Sequence, residues 1–213
     1  PALKDGRDVL DRLASHPGVA RFICKKIIRR FVSDTPDPAL VTSAATIFRQ
    51  NWRAANQIEL TLRHILTSTA FAQTWGAKSR RPFEAVAAAM RARGSDWTLN
   101  VGTAKSDEFA WRMGFTGHAP YDWPAPNGYP DTQQAWSGSS SYAMTWKILN
   151  WLTETSDNAV PLAPILATTR AQVPSWTATK LVDFWCQRIL GYAPTAARRQ
   201  TRSEERRVGK ECR

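Results

Sequence analysis

No stretch of this 213-residue chain approaches the ~20 consecutive apolar residues that cross a bilayer, so no transmembrane helix is expected. No charged segment leading into an apolar one follows Pro1, so no signal segment is visible. The three histidines, His16, His64 and His118, are scattered, and neither HExxH nor Cys-x-x-Cys occurs. A zinc site therefore has little support, and neither a metal nor a cofactor is expected. Strand signals are missing as well: no segment alternates apolar and polar residues long enough to demand a sheet. Helix-turn-helix, zinc-finger and RNA-binding signatures are absent, so nucleic acid is not the expected partner despite a formal charge of +11.

What is present reads as a globular chain. Hydrophobic residues make up 43% and charged residues 22%, enough for one domain with a real core. The basic residues are mostly interleaved on helices, with clusters at Lys25, Lys26, Arg29, Arg30 and at Lys78, Arg80, Arg81. That distribution suits a solvated basic face or attraction to an anionic surface. Ten tryptophans follow no period and read as core or loop-packing residues. A chain opening on Pro1 rather than Met is expected to start partway through something larger. Its other end, Thr201 to Arg213 (TRSEERRVGKECR), has no apolar periodicity and resembles a translated sequencing-adapter oligonucleotide of the kind found in metagenomic gene models. It is set aside as non-native and disordered, leaving residues 1–200 as the domain. Those carry 24 basic and 15 acidic residues, a net +9, and two cysteines, Cys24 and Cys186.

The periodicity is helical throughout. Val9, Leu10 and Leu13 mark a short amphipathic helix, and His16-Pro17 opens a stronger one in which Val19, Ile23, Ile27 and Phe31 recur every four residues. Phe22, Ile28 and Cys24 fall on the same side. Asp37-Pro38 caps a third helix, with Leu40, Val41, Ala44, Ile47 and Phe48 inward. Ile58, Leu62, Ile65 and Leu66 mark a fourth, and Ser68 or Thr69 caps a short fifth. Pro82 begins another with Phe83, Val86, Ala87 and Met90 inward, ended by Gly94. Weaker signals place helices at Ser106–Met113, Tyr142–Leu152 (Trp146, Leu149 and Leu152 inward) and Val160–Val173. Ser175 caps the last, in which Leu181, Val182, Trp185 and Ile189 face inward and Gly191 terminates. The expected class is all-α, a single multi-helix domain.

One long segment breaks the pattern: Gly114 to Trp136, GFTGHAPYDWPAPNGYPDTQQAW. Loops of this length in compact domains are uncommon, and aromatics and prolines argue for order. Tyr121, Trp123, Tyr129 and Trp136 offer flat apolar faces, while Asn127 and the carboxylates Asp122 and Asp131 offer hydrogen bonds. That set suits a carbohydrate ligand. Asp122 and Asp131 are also candidates for a hydrolytic pair, their separation being open. His16 and His118 are candidate general bases or metal ligands. Against these stands a loop folded down as a lid, with Asn127-Gly128 making its turn. Cys24 and Cys186 read as buried thiols, with pairing left open.

Four segments, in order, carry a family likeness. LASHPGVARFICKKIIRRFVSDTPDPALV resembles the signature of the bacterial family known as domain of unknown function 1800, in which a His-Pro helix leads into a Phe-Val-x-Asp-x-Pro turn. RRPFEAVAAAMRARG resembles its Lys-x-Pro-x-Glu helix, with arginine in place of the usual lysine. NGYPDTQQAW resembles its Gly-Tyr-Pro-Asp loop, and LVDFWCQRILGYAPT its closing helix. The segment TWKILN (Thr145 to Asn150) keeps only part of the family pattern. The likeness, from about Gly6 to Ala197, implies the C-terminal portion of a larger, mainly helical protein, often exported and hence periplasmic or extracellular. It also implies a partner, since members are commonly encoded beside a sulfatase-like protein. No family activity comes with it. A binding or assembly role in the cell envelope is therefore expected, the alternative being a hydrolase of envelope or extracellular polymers with the loop lining its pocket.

Overall fold

A computed structural model describes residues 3–158 and 160–201. Residues 202–213 of the segment set aside lie outside the described residues. The architecture is all-α. In chain order the helices are α1 (Lys4–Ser15), α2 (Pro17–Phe31), α3 (Pro38–Gln50), α4 (Gln57–Leu66), α5 (Thr69–Gln73) and α6 (Pro82–Arg93). They continue with α7 (Ala104–Phe115), α8 (Gln133–Trp136), α9 (Ser139–Glu154), α10 (Ile165–Gln172) and α11 (Ala178–Leu190). A two-residue antiparallel hairpin, β1 (Ser156–Asp157) and β2 (Val160–Pro161), is paired Ser156 with Pro161. These helices fall into two compact units: one reaches Arg81 and adds Gly128–Ser137, and the other holds Pro82–Asn127 and the residues from Gly138 on.

The first unit is built on α2 and α3. Pro17 sits at the first position of α2, Pro38 at that of α3, and Asp37 accepts from the amides of Ala39 and Leu40. The buried row is Ala20, Cys24 and Ile28 of α2 with Val32 just after it, packed with Leu40, Val41, Ala44, Ala45 and Phe48 of α3 and Ile65 of α4. Cys24 and Ile28 are buried as expected, but the row is centred one position on from Val19, Ile23, Ile27 and Phe31. Ile23 and Ile27 flank the core, whereas Phe22 and Phe31 are 59% and 48% exposed. The small side chains decide the rotation: Ala20 and Cys24 opposite Ala44 and Ala45 let two helix backbones approach, which bulky rows would hold apart. On α4 it is Thr61, its hydroxyl bonded to the Gln57 carbonyl, that shares burial with Ile65, while Ile58 and Leu66 stay exposed. Helix α1 forms as expected, but none of its described residues is buried.

The second unit packs Val86 of α6, Phe109 and Met113 of α7, and Ile148, Trp151 and Leu152 of α9 around Leu162. Trp97 stands edge-on to Phe109 (5.7 Å) and Trp151 (6.4 Å), its indole N–H donating to Asp157. Helix α9 is longer than its apolar period suggests, and Trp146, expected in the core, is 58% exposed. The helix expected over Val160–Val173 is confined to α10, because Pro161 and Pro164 withhold amide donors from its first half. Thr177, not Ser175, caps α11 by accepting from the Lys180 amide, and Gly191 closes it at φ 80°.

Candidate functional site

The loop after α7 is divided between the units: residues through Asn127 belong to the second and Gly128–Ser137 to the first. The seven aromatic and polar residues expected to bind ligand are therefore split, Tyr121, Asp122, Trp123 and Asn127 in the second unit and Tyr129, Asp131 and Trp136 in the first.

In the second unit the loop starts buried and ends exposed. The Thr116 hydroxyl donates to the Met113 carbonyl and accepts from the His118 amide, and Ser141 donates to the Thr116 carbonyl. His118 is 6% exposed, and its Nδ1 accepts the Phe83 amide at 3.2 Å. An acceptor Nδ1 requires the proton on Nε2 in the neutral ring. His118 thus caps the start of α6 from a position 35 residues away in sequence. Three residues on, Tyr121 is fully exposed (105%) and sits in left-handed backbone at φ 64°. Asp122 beside it is exposed, its amide donating to the Ala119 carbonyl. Trp123 is 37% exposed, its indole N–H donating to Asn127 Oδ1 at 2.9 Å. The result is two exposed rings two residues apart, one held by a side-chain bond and the other on a residue in left-handed backbone.

In the first unit the loop is fastened down. Tyr129 and Trp136 lie 5.8 Å apart, both half-buried, and Trp136 donates to the Pro130 carbonyl. Asp131 enters a charged cluster that sequence reasoning missed. Lys78 Nζ donates to Asp34 Oδ1 at 2.5 Å and to the Asp131 carbonyl at 2.6 Å, and lies 3.7 Å from Asp131 Oδ1. Arg30 Nη1 pairs with Asp131 Oδ1 at 3.2 Å, and the Gln133 amide donates to Asp34 Oδ2. Burial opposes ionisation of Asp34, but the Lys78 ammonium, the Gln133 amide and the Arg29 charge together outweigh it and hold its carboxyl below the usual range. The cluster ties the turn after α2, the segment before α6 and the loop into one piece. Asp34 and Asp131 are the aspartates of two of the motifs quoted above, which was the available signal. Lys78 was visible only as part of a basic run.

The remaining titratable candidates are structural in geometry. His16 Nδ1 accepts the Gly18 amide at 3.0 Å and caps α2. Ser43 Oγ lies 2.9 Å from His64 Nε2, a spacing seen in nucleophile–base pairs. The Ser43 hydroxyl also reaches the Leu40 carbonyl at 3.1 Å, and the direction of the Ser43–His64 bond follows the tautomer of the ring. Cys24 and Cys186 are both free, and burial pushes the Cys24 thiol up to about 11. No group of three metal-ligating side chains occurs among the described residues, and no helix among them is long and apolar enough to cross a membrane.

No curated protein and no solved structure matches the chain. A family model does, over residues 2–210, a span that takes in both units and runs into the segment set aside. With its spaced motifs supplying two helix caps, both aspartates of the charged cluster and the closing helix, the chain belongs to the family described as protein of unknown function DUF1800.

Proposed function

We propose that the chain is a binding and assembly module of the bacterial cell envelope, exported to the periplasm or beyond, that docks a protein partner on its Tyr121–Trp123 face. The partner favoured is the sulfatase-like protein expected beside members of the family. The observation that carries this reading is Tyr121: a fully exposed aromatic ring on a left-handed residue. An ordinary loop sheds both costs with a glycine or asparagine there, so the residue reads as kept for contact. Aromatic side chains anchor interfaces because they bring large rigid area at little entropy cost. The hydrolytic alternative is weaker because its candidate groups other than exposed Asp122 are occupied. His16 and His118 spend Nδ1 on backbone amides, and Asp131 is engaged by Arg30 and Lys78.

The test is size-exclusion chromatography of the full-length protein with its co-encoded neighbour. Co-elution lost in Tyr121→Ala and Trp123→Ala, with helical circular dichroism unchanged, supports the reading. Absence of a complex, or a complex indifferent to both substitutions, overturns it. Binding of an envelope oligosaccharide to the same face in its place would move the function to carbohydrate recognition. Turnover of that polymer lost in Asp122→Asn would make it a hydrolase.

A further inference from the structure

Helices α6, α10 and α11 of the second unit enclose a pocket of about 430 Å³, within the range of small-molecule sites. Its frame is fixed by side-chain bonds: Thr168 donates to the Arg93 carbonyl, and Arg188 Nε donates to the Ala92 carbonyl. The walls are apolar, from Leu181 at the buried end through Trp185 and Ile189 to Trp176 and Leu166 at the exposed rim. Polar groups in the wall are satisfied internally, the Trp185 indole donating to Thr169 Oγ1 and that hydroxyl to the Ile165 carbonyl. Among the described residues Arg93, at the C-terminal end of α6, is the one charged residue lining it. Its Nη1 donates to the Leu149 carbonyl at 3.2 Å, and its Nε and Nη2 have no acceptor among the described residues. Burial pulls the Arg93 pKa down, the mark of a guanidinium drawn out of water.

We propose that this pocket binds an amphiphilic carboxylate, its hydrocarbon chain against Trp176, Trp185, Leu181 and Ile189 and its head on Arg93. A single planar guanidinium with spare donors matches the two oxygens of a monoanionic carboxylate. Among the described residues the walls carry no carboxylate to compete for it and no second cation to balance a phosphate dianion.

Isothermal titration of the intact chain with decanoate and with decanol, both below the concentration at which they aggregate, tests the assignment. Decanoate binds about tenfold or more tightly than decanol, a gap of ~1.4 kcal/mol. Arg93→Gln brings the two affinities together. Leu166→Asp, on the exposed rim where the fold is indifferent to it, weakens decanoate about tenfold by like-charge repulsion. No binding, equal affinities for acid and alcohol, or a preference that persists in folded Arg93→Gln overturns the proposal. Should Arg93→Gln fail to fold, the acid–alcohol comparison and Leu166→Asp decide it.

Discussion

Tyr121 pays a conformational cost that its side chain cannot recover within the chain. Left-handed backbone costs a non-glycine residue about 1–2 kcal/mol, and a glycine there returns about 0.5–1 kcal/mol of unfolded-state entropy. Tyr121→Gly should therefore raise stability by up to about 1 kcal/mol, read as a higher denaturation midpoint, while removing the ring from the face. A lower midpoint would mean the ring packs in solution. The histidines separate by burial. Exposed His16 is an ordinary cap, and His16→Ala should cost about 1 kcal/mol. Buried His118 leaves the Phe83 amide without an acceptor when removed, so His118→Ala should cost about 1–3 kcal/mol. Equal losses in urea melts would contradict this. The buried Cys24 thiol, pushed up to about 11, is almost wholly protonated at neutral pH. Mass mapping after brief iodoacetamide treatment should find Cys186 alkylated well before Cys24.

Among elements, α2 is the one on which the first unit depends. Ile28 is fully buried at the centre of its row, and Ile28→Ala should cost about 2–5 kcal/mol, against well under 1 kcal/mol for Phe31→Ala on the exposed side. The contrast reads the helix rotation directly, since the expected stripe counted Phe31 inward along with Ile28 and would make both losses large. Two carboxyls are held down by neighbours: Asp34 as described, and Glu108 of α7 by hydrogen bonds from Lys105 and Arg112. Each takes up its proton at lower pH folded than unfolded. The unfolded chain therefore binds more protons through that interval, and their stabilisation, complete above about pH 5, drains away as pH falls below about 4. Thermal midpoints from pH 6 to pH 2.5 should show this decline, with a shallower slope in Asp34→Asn and in Glu108→Gln. An unchanged slope in both would remove the electrostatic account.

For the molecule as a whole, charge is the property the composition announces and the fold distributes. Arg21, Lys25 and Lys26 remain exposed on α2, while Arg29 and Arg30 are drawn against the Asp34–Asp131 cluster. The basic face available to an anionic surface is correspondingly smaller than the sequence cluster. Binding to anionic vesicles should be weak and should disappear between about 0.1 M and 1 M salt, as the screening length falls from ~10 Å to ~3 Å. Binding that survives high salt would need an apolar contribution, for which the exposed Val9, Leu10 and Leu13 of α1 are placed.

The class and most of the punctuation were legible in the residues alone. Proline at N1, the aspartate cap of α3 and the glycine closing α11 act through atoms within a few residues, so their effects can be read locally. The exact face of α2 that goes inward was set by packing, because it depends on the small residues of α3. It also assigned His118 to α6 and drew Asp34 and Lys78 onto Asp131, joining groups far apart in the chain. Helical period constrains neighbours three and four residues away; partners at 35, 53 or 101 residues leave no periodic trace. The loop shows both limits together. Its aromatics and prolines announced order, but which of its rings would be packed and which exposed was settled by what the rest of each unit offered them.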